Sequence, residues 1–196
     1  SRGDVGGAHL PFAMLNSNKK PVTLNLKTEK GRELLREMVA RADVLVENFA
    51  PGVMDRLGLG AAELLRINPR LVYGSSSGYG KDGPYRDYPA MDLVMQAMCG
   101  VINSTGYPDQ PPVKSGAALC DFSAGVHLYA AIVTALYERE RTGRGQRVEL
   151  ALFSLPTGAV RRPGRGSFAV AHRHLYNFRG SALRTCRSQE RPQIRS

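Results

Sequence analysis

The feature of this sequence that most constrains its fold is a regular alternation of short strand and helix patterns between residues 21 and 75. The strand patterns cover residues 21–26, 43–47 and 71–75. Apolar residues at helical spacing follow Thr28, a candidate helix cap, and a second helix pattern covers residues 61–67 before Pro69. Such short intervals predict right-handed βαβ units, and therefore an α/β fold with a parallel sheet and flanking helices.

The rest of the sequence divides into loops, two helices and one further strand. Residues 1–20, 77–88 and 103–112 are rich in glycine, proline or polar residues and predict loops. The remaining predicted elements are a buried helix over residues 92–101, a long helix over 123–141 and a strand over 147–153.

Ligands of parallel sheets gather outside the carboxyl ends of the strands. These ends carry Lys27, Asn48, Phe49 and residues 75–80. A lone cation such as Lys27 or Arg56 is usually a solvated surface charge. Grouped around a parallel sheet, such cations are also candidates for holding a phosphorylated cofactor.

Asp121 is the carboxylate that most invites a functional hypothesis. It lies between a run of small residues, 116–118, and the apolar helix predicted from residue 123. The local pattern alone favours a helix N-cap. The alternative is a nucleophile or base in a tight pocket, since small residues let a ligand approach the backbone closely.

Three shorter motifs carry weaker signals. Residues 74–78 match Gly-x-Ser-x-Gly, but a hydrolase elbow turns directly into a helix, and a loop follows here. Residues 78–83 match Gly-x-Gly-x-x-Gly, yet Pro84 stands where a dinucleotide site needs a helix N-terminus. His172 and His174 lack further ligands, so we predict no metal site.

The positive charge is concentrated at one end of the chain. The net charge is +10, and residues 157–196 supply +8 of it through nine arginines against the single acid Glu190. We therefore predict two regions, a nearly neutral globular body over residues 1–156 and an Arg-rich tail over 157–196 with no predicted fold. The tail is either a basic extension or the product of a frame change, and a nonspecific nucleic-acid binder acting through it is the alternative to an enzyme.

Cysteine usage and hydropathy predict an intracellular setting. Cys99, Cys120 and Cys186 show no paired or metal-ligand spacing, which favours free thiols and a cytoplasmic protein. No uninterrupted apolar run approaches the roughly 20 residues that cross a bilayer. The sequence opens with neither an initiator Met nor a signal-peptide pattern, so we expect it to begin inside a longer protein.

Many ordered motifs of residues 2–153 resemble the class III CoA-transferase family, which includes formyl-CoA and carnitine CoA-transferases, with α-methylacyl-CoA racemase as a relative. The motifs are NSNKK (16–20), LNLKT (24–28), GRELL (31–35), ADVLVENF (42–49), PG (51–52), RLG (56–58), NPRLV (68–72), GYG (78–80), GPY (83–85), SGAALCD (115–121) and ERERTGRGQ (138–146).

The resemblance implies a Rossmann-like large domain, of which residues 1–156 are the central part, within an interlocked homodimer. It places the family's catalytic aspartate on Asp121, which attacks acyl-CoA and passes CoA to a carboxylic acid acceptor through covalent aspartyl intermediates. It implies coenzyme A as the substrate cofactor, no metal, and neither a nucleic-acid nor a membrane partner. Its CoA contacts fall on Leu24, Asn25, Leu26, Lys27, Asn48, Phe49, Ala50 and Arg56.

Two departures from the family pattern matter. The racemase branch has a His just before the acid at Asp92, where this sequence has Met91, so we expect a transferase rather than a racemase. The family's first strand and its small domain would lie before Ser1 and after Phe153. We therefore expect a fragment of an enzyme, and an inactive fragment with a basic tail is the remaining alternative.

Overall fold

The computed structural model describes residues 4–5, 8–107 and 109–154, and its centre is a three-stranded parallel sheet. The five strands of the described residues are β1 (Asp4–Val5), β2 (Ala8–His9), β3 (Val44–Glu47), β4 (Val72–Ser77) and β5 (Arg147–Ala151), and the last three form this sheet. The helices are α1 (Leu10–Asn16), α2 (Glu29–Val39), α3 (Val53–Arg56), α4 (Ala61–Ile67), α5 (Asp92–Met98), α6 (Val101–Ser104) and α7 (Leu119–Thr142), followed by a 3₁₀ turn at Leu152–Ser154.

Strand β4 is the centre of the sheet. It pairs in parallel with β3, where Val44 faces Val72, and with β5, where Tyr73 faces Arg147. All three carboxyl ends therefore lie at one edge. The sequence predicts this for β3 and β4, while β5 takes the place of the third predicted strand, residues 21–26. Strands β1 and β2 form a separate antiparallel pair.

The two faces of β4 bury different helices, because successive side chains of a strand point to opposite sides. Val72 packs in a cluster with the small and aliphatic residues of α7. Tyr73 packs in a second cluster with Leu64 of α4 and Val39 of α2. The parallel sheet with helices on both faces confirms the predicted α/β class.

Helix α7 packs directly on the central strand β4. A Cβ built on Gly74 would be 2.8 Å from Cδ1 of Ile132, so a glycine on β4 admits the helix side chain. Ala124, Ala131 and Ala135 supply small buried contacts from the helix itself. The start of α7 is thereby held near the carboxyl edge of the sheet.

Several predicted elements are confirmed. Thr28 caps α2, because its hydroxyl accepts a hydrogen bond of 3.2 Å from the Gly31 N–H. Helix α4 covers the predicted residues 61–67. Residues 77–88 form no helix or strand beyond the last residue of β4, in agreement with the predicted loop.

The predicted strand over residues 21–26 is wrong, since this segment pairs with no strand among the described residues. Its carbonyls are used locally instead. The Arg32 guanidinium donates to the Leu26 and Lys27 carbonyls at 3.2 and 3.1 Å, and the Thr28 N–H donates to the Asn25 carbonyl. A strand pattern without a neighbouring strand edge remains a loop, and this one runs into a turn at residues 26–27.

Other boundaries also need correction. Residues 8–16, predicted as loop, contain β2 and the apolar helix α1. Strand β3 is a sheet edge rather than a buried strand, and Val46 is 59% exposed. The helix predicted over 92–101 breaks at Gly100, whose φ of 86° is left-handed. Helix α7 begins four residues earlier than predicted, and β5 ends two residues sooner.

Within the described part of the chain, α7 is the one helix long and apolar enough, by length and composition, to cross a membrane. The sequence analysis found no uninterrupted apolar run of this length. Helix α7 passes because its mean hydropathy is high although polar residues interrupt it. Core helices of soluble proteins pass the same test, so this is weak evidence for a membrane span. The predicted tail, residues 157–196, lies outside the described residues.

Candidate active site

A cleft with a volume of about 960 Å³ opens at the carboxyl edge of the sheet in the described part of the chain. Its walls come from the ends of β3 and β4, the start of α5, residues 114–118 and the first turns of α7. This is the edge at which the parallel topology predicts ligands. Lys114 is the one cation among its lining residues, against the carboxylates of Glu47, Asp92 and Asp121.

Asp121 lines this cleft from the first turn of α7. The N-cap position belongs to Ala118, which has no capping side chain, so the N-cap interpretation of Asp121 is wrong. The error follows from the predicted helix start, which fell four residues too late. The structure thus frees the Asp121 carboxylate from a capping role.

Two opposing effects act on the Asp121 carboxyl. The positive end of α7 favours its ionised form. Desolvation by neighbouring atoms, and next the nearby Asp92 carboxylate, nevertheless hold the pKa of Asp121 above its ordinary value. A carboxylate with a raised pKa is more basic and more nucleophilic than a free one.

The thiol beside Asp121 is a poor rival for the role of nucleophile. Cys120 is fully buried, and burial, followed by the nearby Cys99, raises its pKa to about 12. A thiol needs its thiolate form to react, so Cys120 stays protonated and inert near neutral pH.

The sequence did not identify Asp92, Gln96 and Lys114 as lining residues of the site. Asp92 Oδ1 accepts hydrogen bonds from the backbone N–H groups of Cys120 at 2.8 Å and Asp121 at 3.2 Å. The sequence signal was slight, consisting of an acid and an amide at i and i+4 of an apolar helix. Their partners lie 19 to 29 residues away, beyond the reach of local patterns.

The structure brings only some of the predicted CoA contacts together. Asn48 lines the large cleft with Asp121. Phe49 and Ala50 line a smaller neighbouring cavity of about 40 Å³. Lys27 and Arg56 are exposed. The remaining predicted contacts, Leu24, Asn25 and Leu26, lie in the loop before α2, and neither cavity is lined by this loop or by Arg56.

The smaller cavity is polar, and Glu47, Ser76 and Ser77 line both cavities. Burial raises the pKa of Glu149 in its wall, although Arg147 opposes that rise. Burial and the Glu47 carboxylate also raise the pKa of Tyr73, whose hydroxyl donates to Glu47 at 3.3 Å.

The shorter motifs do not assemble into sites. Ser76 lines the cleft, but a loop follows β4 where a hydrolase elbow requires a helix. His127 hydrogen-bonds the Ser123 carbonyl at 2.8 Å on an exposed helix face. Among the residues that the structure describes, no group of three or more His, Cys, Asp or Glu could hold a metal ion. His172 and His174, at which the sequence predicts no metal site, lie outside that range.

Comparison with known proteins places this geometry in one family. The family model described as CoA-transferase family III matches residues 2–158. Acetyl-CoA:oxalate CoA-transferase of Acetobacter aceti is 50% identical over 180 residues, which cover 88% of this chain and 46% of that protein. Formyl-CoA:oxalate CoA-transferase of Streptomyces avermitilis is 47% identical over 169 residues, which cover 86% of this chain and 41% of that protein.

Solved structures agree with these matches. A CAIB/BAIF family protein from Brucella suis aligns with a TM-score of 0.69 and 44% identity, covering 71% of this chain and 37% of that one. A hypothetical protein from Mycobacterium tuberculosis aligns with a TM-score of 0.68 and 35% identity, covering 72% of this chain and 40% of that one. The chain therefore spans less than half the length of these relatives.

We expect Asp121→Asn to stabilise the fold in a pH-dependent way. Because the folded pKa of Asp121 is raised, the wild-type stability linked to this group is present at low pH and is lost as pH rises through that pKa. The melting temperature of the variant should match wild type in acid and exceed it near neutral pH, as followed by circular dichroism. Asp87→Asn, a matched change at a side chain that is 78% exposed, should show no such divergence. A constant or negative difference for Asp121→Asn would contradict the expectation.

Proposed function

The chain belongs to CoA-transferase family III, and we propose that its protein is an acyl-CoA:carboxylate CoA-transferase with Asp121 as nucleophile. The observation that carries this proposal is the position of the Asp121 carboxylate in a cleft at the carboxyl edge of a parallel sheet, beside the small residues 116–118. Small residues let a thioester approach the carboxylate closely. The names of the relatives support acetyl- or formyl-CoA as donor and oxalate as acceptor.

In the proposed reaction, an oxygen of Asp121 attacks the thioester carbonyl of acyl-CoA. The C–S bond breaks, CoA leaves as a thiolate, and an acyl-aspartyl anhydride remains. The thiolate then attacks the aspartyl carbonyl, which releases the acyl group as a carboxylate and gives an aspartyl-CoA thioester. This route divides one difficult exchange into easier steps.

The acceptor completes the cycle by the same steps in reverse. Its carboxylate attacks the aspartyl thioester, releasing CoA thiolate and forming a second anhydride. The thiolate attacks the acceptor's carbonyl, so acceptor-CoA leaves and the Asp121 carboxylate is restored. No water and no net proton are consumed. Backbone N–H groups of residues 116–118 are our candidates for stabilising the tetrahedral oxyanions.

The racemase alternative needs a second base that shuttles an α-proton. Met91, which is 73% exposed, lines the cleft at the corresponding position and has no proton-accepting group. No histidine is among the lining residues of the described cleft. The site therefore favours acyl transfer over racemisation.

Hydroxylamine trapping tests the proposed chemistry. The purified protein, expressed with all the sequence that its gene encodes, is incubated with acetyl-CoA or formyl-CoA, oxalate and hydroxylamine. Because hydroxylamine cleaves anhydrides and thioesters, peptide mass spectrometry should find a hydroxamate at Asp121. Asp121→Asn should abolish it, and Asp109→Asn, at an exposed turn residue, should leave it intact. A hydroxamate on another carboxylate, or none with any donor, would overturn the proposal.

We propose that CoA lies along the segments that the resemblance assigns, with Lys27 and Arg56 near its phosphates. The support is that both cations are exposed and that Asn48, Phe49 and Ala50 line the cleft and the cavity beside it. Guanidinium and ammonium groups are the side chains that bind phosphates most strongly. The pantetheine arm then runs toward Asp121.

We expect Arg56→Ala to raise KM for acyl-CoA by roughly ten- to a hundredfold, the range set by one lost charge-assisted hydrogen bond. The kcat should stay unchanged, because phosphate binding is the same in the ground and transition states. The control is Arg66→Ala, which removes an exposed guanidinium paired with Glu63 at 2.6 Å. Steady-state kinetics decides, and a fall in kcat at constant KM would count against the phosphate assignment.

We also propose that the protein is an interlocked homodimer and that a second copy covers the outer face of α7. Large apolar side chains form a stripe there at helical spacing, opposite the buried alanines, and all are exposed: Phe122, Val126, Tyr129, Val133 and Tyr137. Only 33% of the most apolar window of α7 is buried. Contiguous apolar patches of this kind mark interaction surfaces.

Light scattering after size exclusion should give twice the chain mass for the wild-type protein. Tyr129→Glu should shift it toward the monomer, because a charge would be buried at the interface. Thr134→Glu, at an exposed position beside the polar residues His127 and Glu138 of the same helix, should leave the dimer intact. A monomeric wild type would contradict the proposal.

A cytoplasmic location is our proposal from the thiol chemistry. Cys99 and Cys120 are buried and unbridged, and Cys99 lies close enough to raise the pKa of Cys120. Neighbouring thiols persist unpaired in reducing compartments.

A further inference from the structure

Two polar side chains of α5 face the site. Asp92 and Gln96 lie one helical turn apart on the inner side of α5, and Gln96 is only 1% exposed. Buried polar side chains are costly unless they are hydrogen-bonded. Their hydrogen-bond partners therefore indicate what they hold in place.

Asp92 replaces the missing cap of α7. The first N–H groups of a helix have no partner within it, and Ala118 has no side-chain acceptor to offer them. Asp92 Oδ1 accepts from the Cys120 and Asp121 N–H groups, so the carboxylate reaches α7 from a helix 28 residues earlier in the chain. The backbone of Asp121 is thus tied directly to α5.

Gln96 extends the tie to the loop before α7. Its Nε2 donates to Asp92 Oδ2 at 2.6 Å and to the Ala117 carbonyl at 3.2 Å. Its Oε1 accepts from the Ser115 N–H at 2.9 Å. Ser115 and Ala117, which both line the cleft, are therefore bound to α5 through one buried amide.

We propose that Asp92 and Gln96 are positioning residues for Asp121, holding its backbone and the 115–118 wall in the geometry for attack on the thioester. This inference rests on the proposed function. Asp92 accepts three N–H hydrogen bonds, two at Oδ1 and one at Oδ2. Its oxygens are thus occupied in holding the site, so we assign it no proton transfer.

The charge of Asp92 affects the pKa of Asp121. A pH profile therefore distinguishes a positioning role beside Asp121 from a role in folding alone. The charged groups lining the cleft around Asp121 are Asp92 from α5, Glu47 from β3 and Lys114 from the loop. Among them, Asp92 contributes to the raised pKa of Asp121. Removing its charge should therefore lower the pH at which Asp121 ionises.

The test compares Asp92→Asn and Gln96→Leu with wild type, using protein expressed with all the sequence that its gene encodes. Asp92→Asn keeps an oxygen that can accept from the α7 N–H groups. Its side-chain NH₂, however, would face the Gln96 Nε2 group, so the hydrogen bond between the two residues would be lost. Both variants should lose roughly ten- to a hundredfold in kcat, as misplacement of a reacting group does, with KM for acyl-CoA unchanged. Asp92→Asn should also move the acid limb of kcat/KM to lower pH, whereas the exposed control Asp87→Asn should not.

Hydrogen exchange separates the two proposals. Amides of residues 115–121 should exchange faster in Gln96→Leu, whether or not catalysis occurs. Unchanged kcat in both variants, an unmoved acid limb in Asp92→Asn, or unchanged exchange would overturn the positioning role. Circular dichroism identifies a variant that fails to fold, and the isosteric Asp92→Asn then decides alone. A wild-type protein that transfers CoA from no donor would instead overturn the proposed function, even if exchange shows the tie.

Discussion

The close packing of α7 on the central strand β4 is the constraint on which the rest of the described structure depends. Gly74 leaves room for Ile132, and alanines of the helix complete a contact with little side-chain bulk. A Cβ at position 74 would stand 2.8 Å from Cδ1 of Ile132, so the tip of that side chain would have to move. Because Asp121 lies in the first turn of α7, the same packing decides how far its carboxylate lies from the edge of the sheet.

Two opposing electrostatic effects act on the Asp121 carboxylate. The N-terminus of α7 attracts negative charge, which would suit anionic intermediates of the proposed reaction. Desolvation and Asp92 hold the pKa of Asp121 above its ordinary value, which suits the nucleophilic role that we propose for it. Asp92 has two roles here. Its carboxylate accepts hydrogen bonds from the first N–H groups of α7, and its negative charge repels the charge of the Asp121 carboxylate. A cap from within α7 would satisfy the N–H groups but would lack the tie to α5.

Sequence patterns predicted those elements whose stability is local. The Thr28 cap and the helix over residues 61–67 were predicted correctly, because capping and helical periodicity depend on neighbours a few residues apart. The strand over residues 21–26 was wrong, because a strand needs a partner edge and Arg32 takes its carbonyls instead. The start of α7 was misplaced because its cap comes from Asp92 and not from the adjoining sequence.

The sequence by itself determined the α/β class and the parallel sheet, which follow from periodicity and the order of the elements. It also determined the family, which follows from the resemblance of motifs in the same order. Only the tertiary structure decided that Asp121 is free of a capping role, that Asp92 on another helix accepts from its backbone N–H, and that Asn48 shares its cleft. Hydrogen bonds across 19 to 29 residues, and the desolvation of a carboxylate, depend on distances in space that no local pattern encodes.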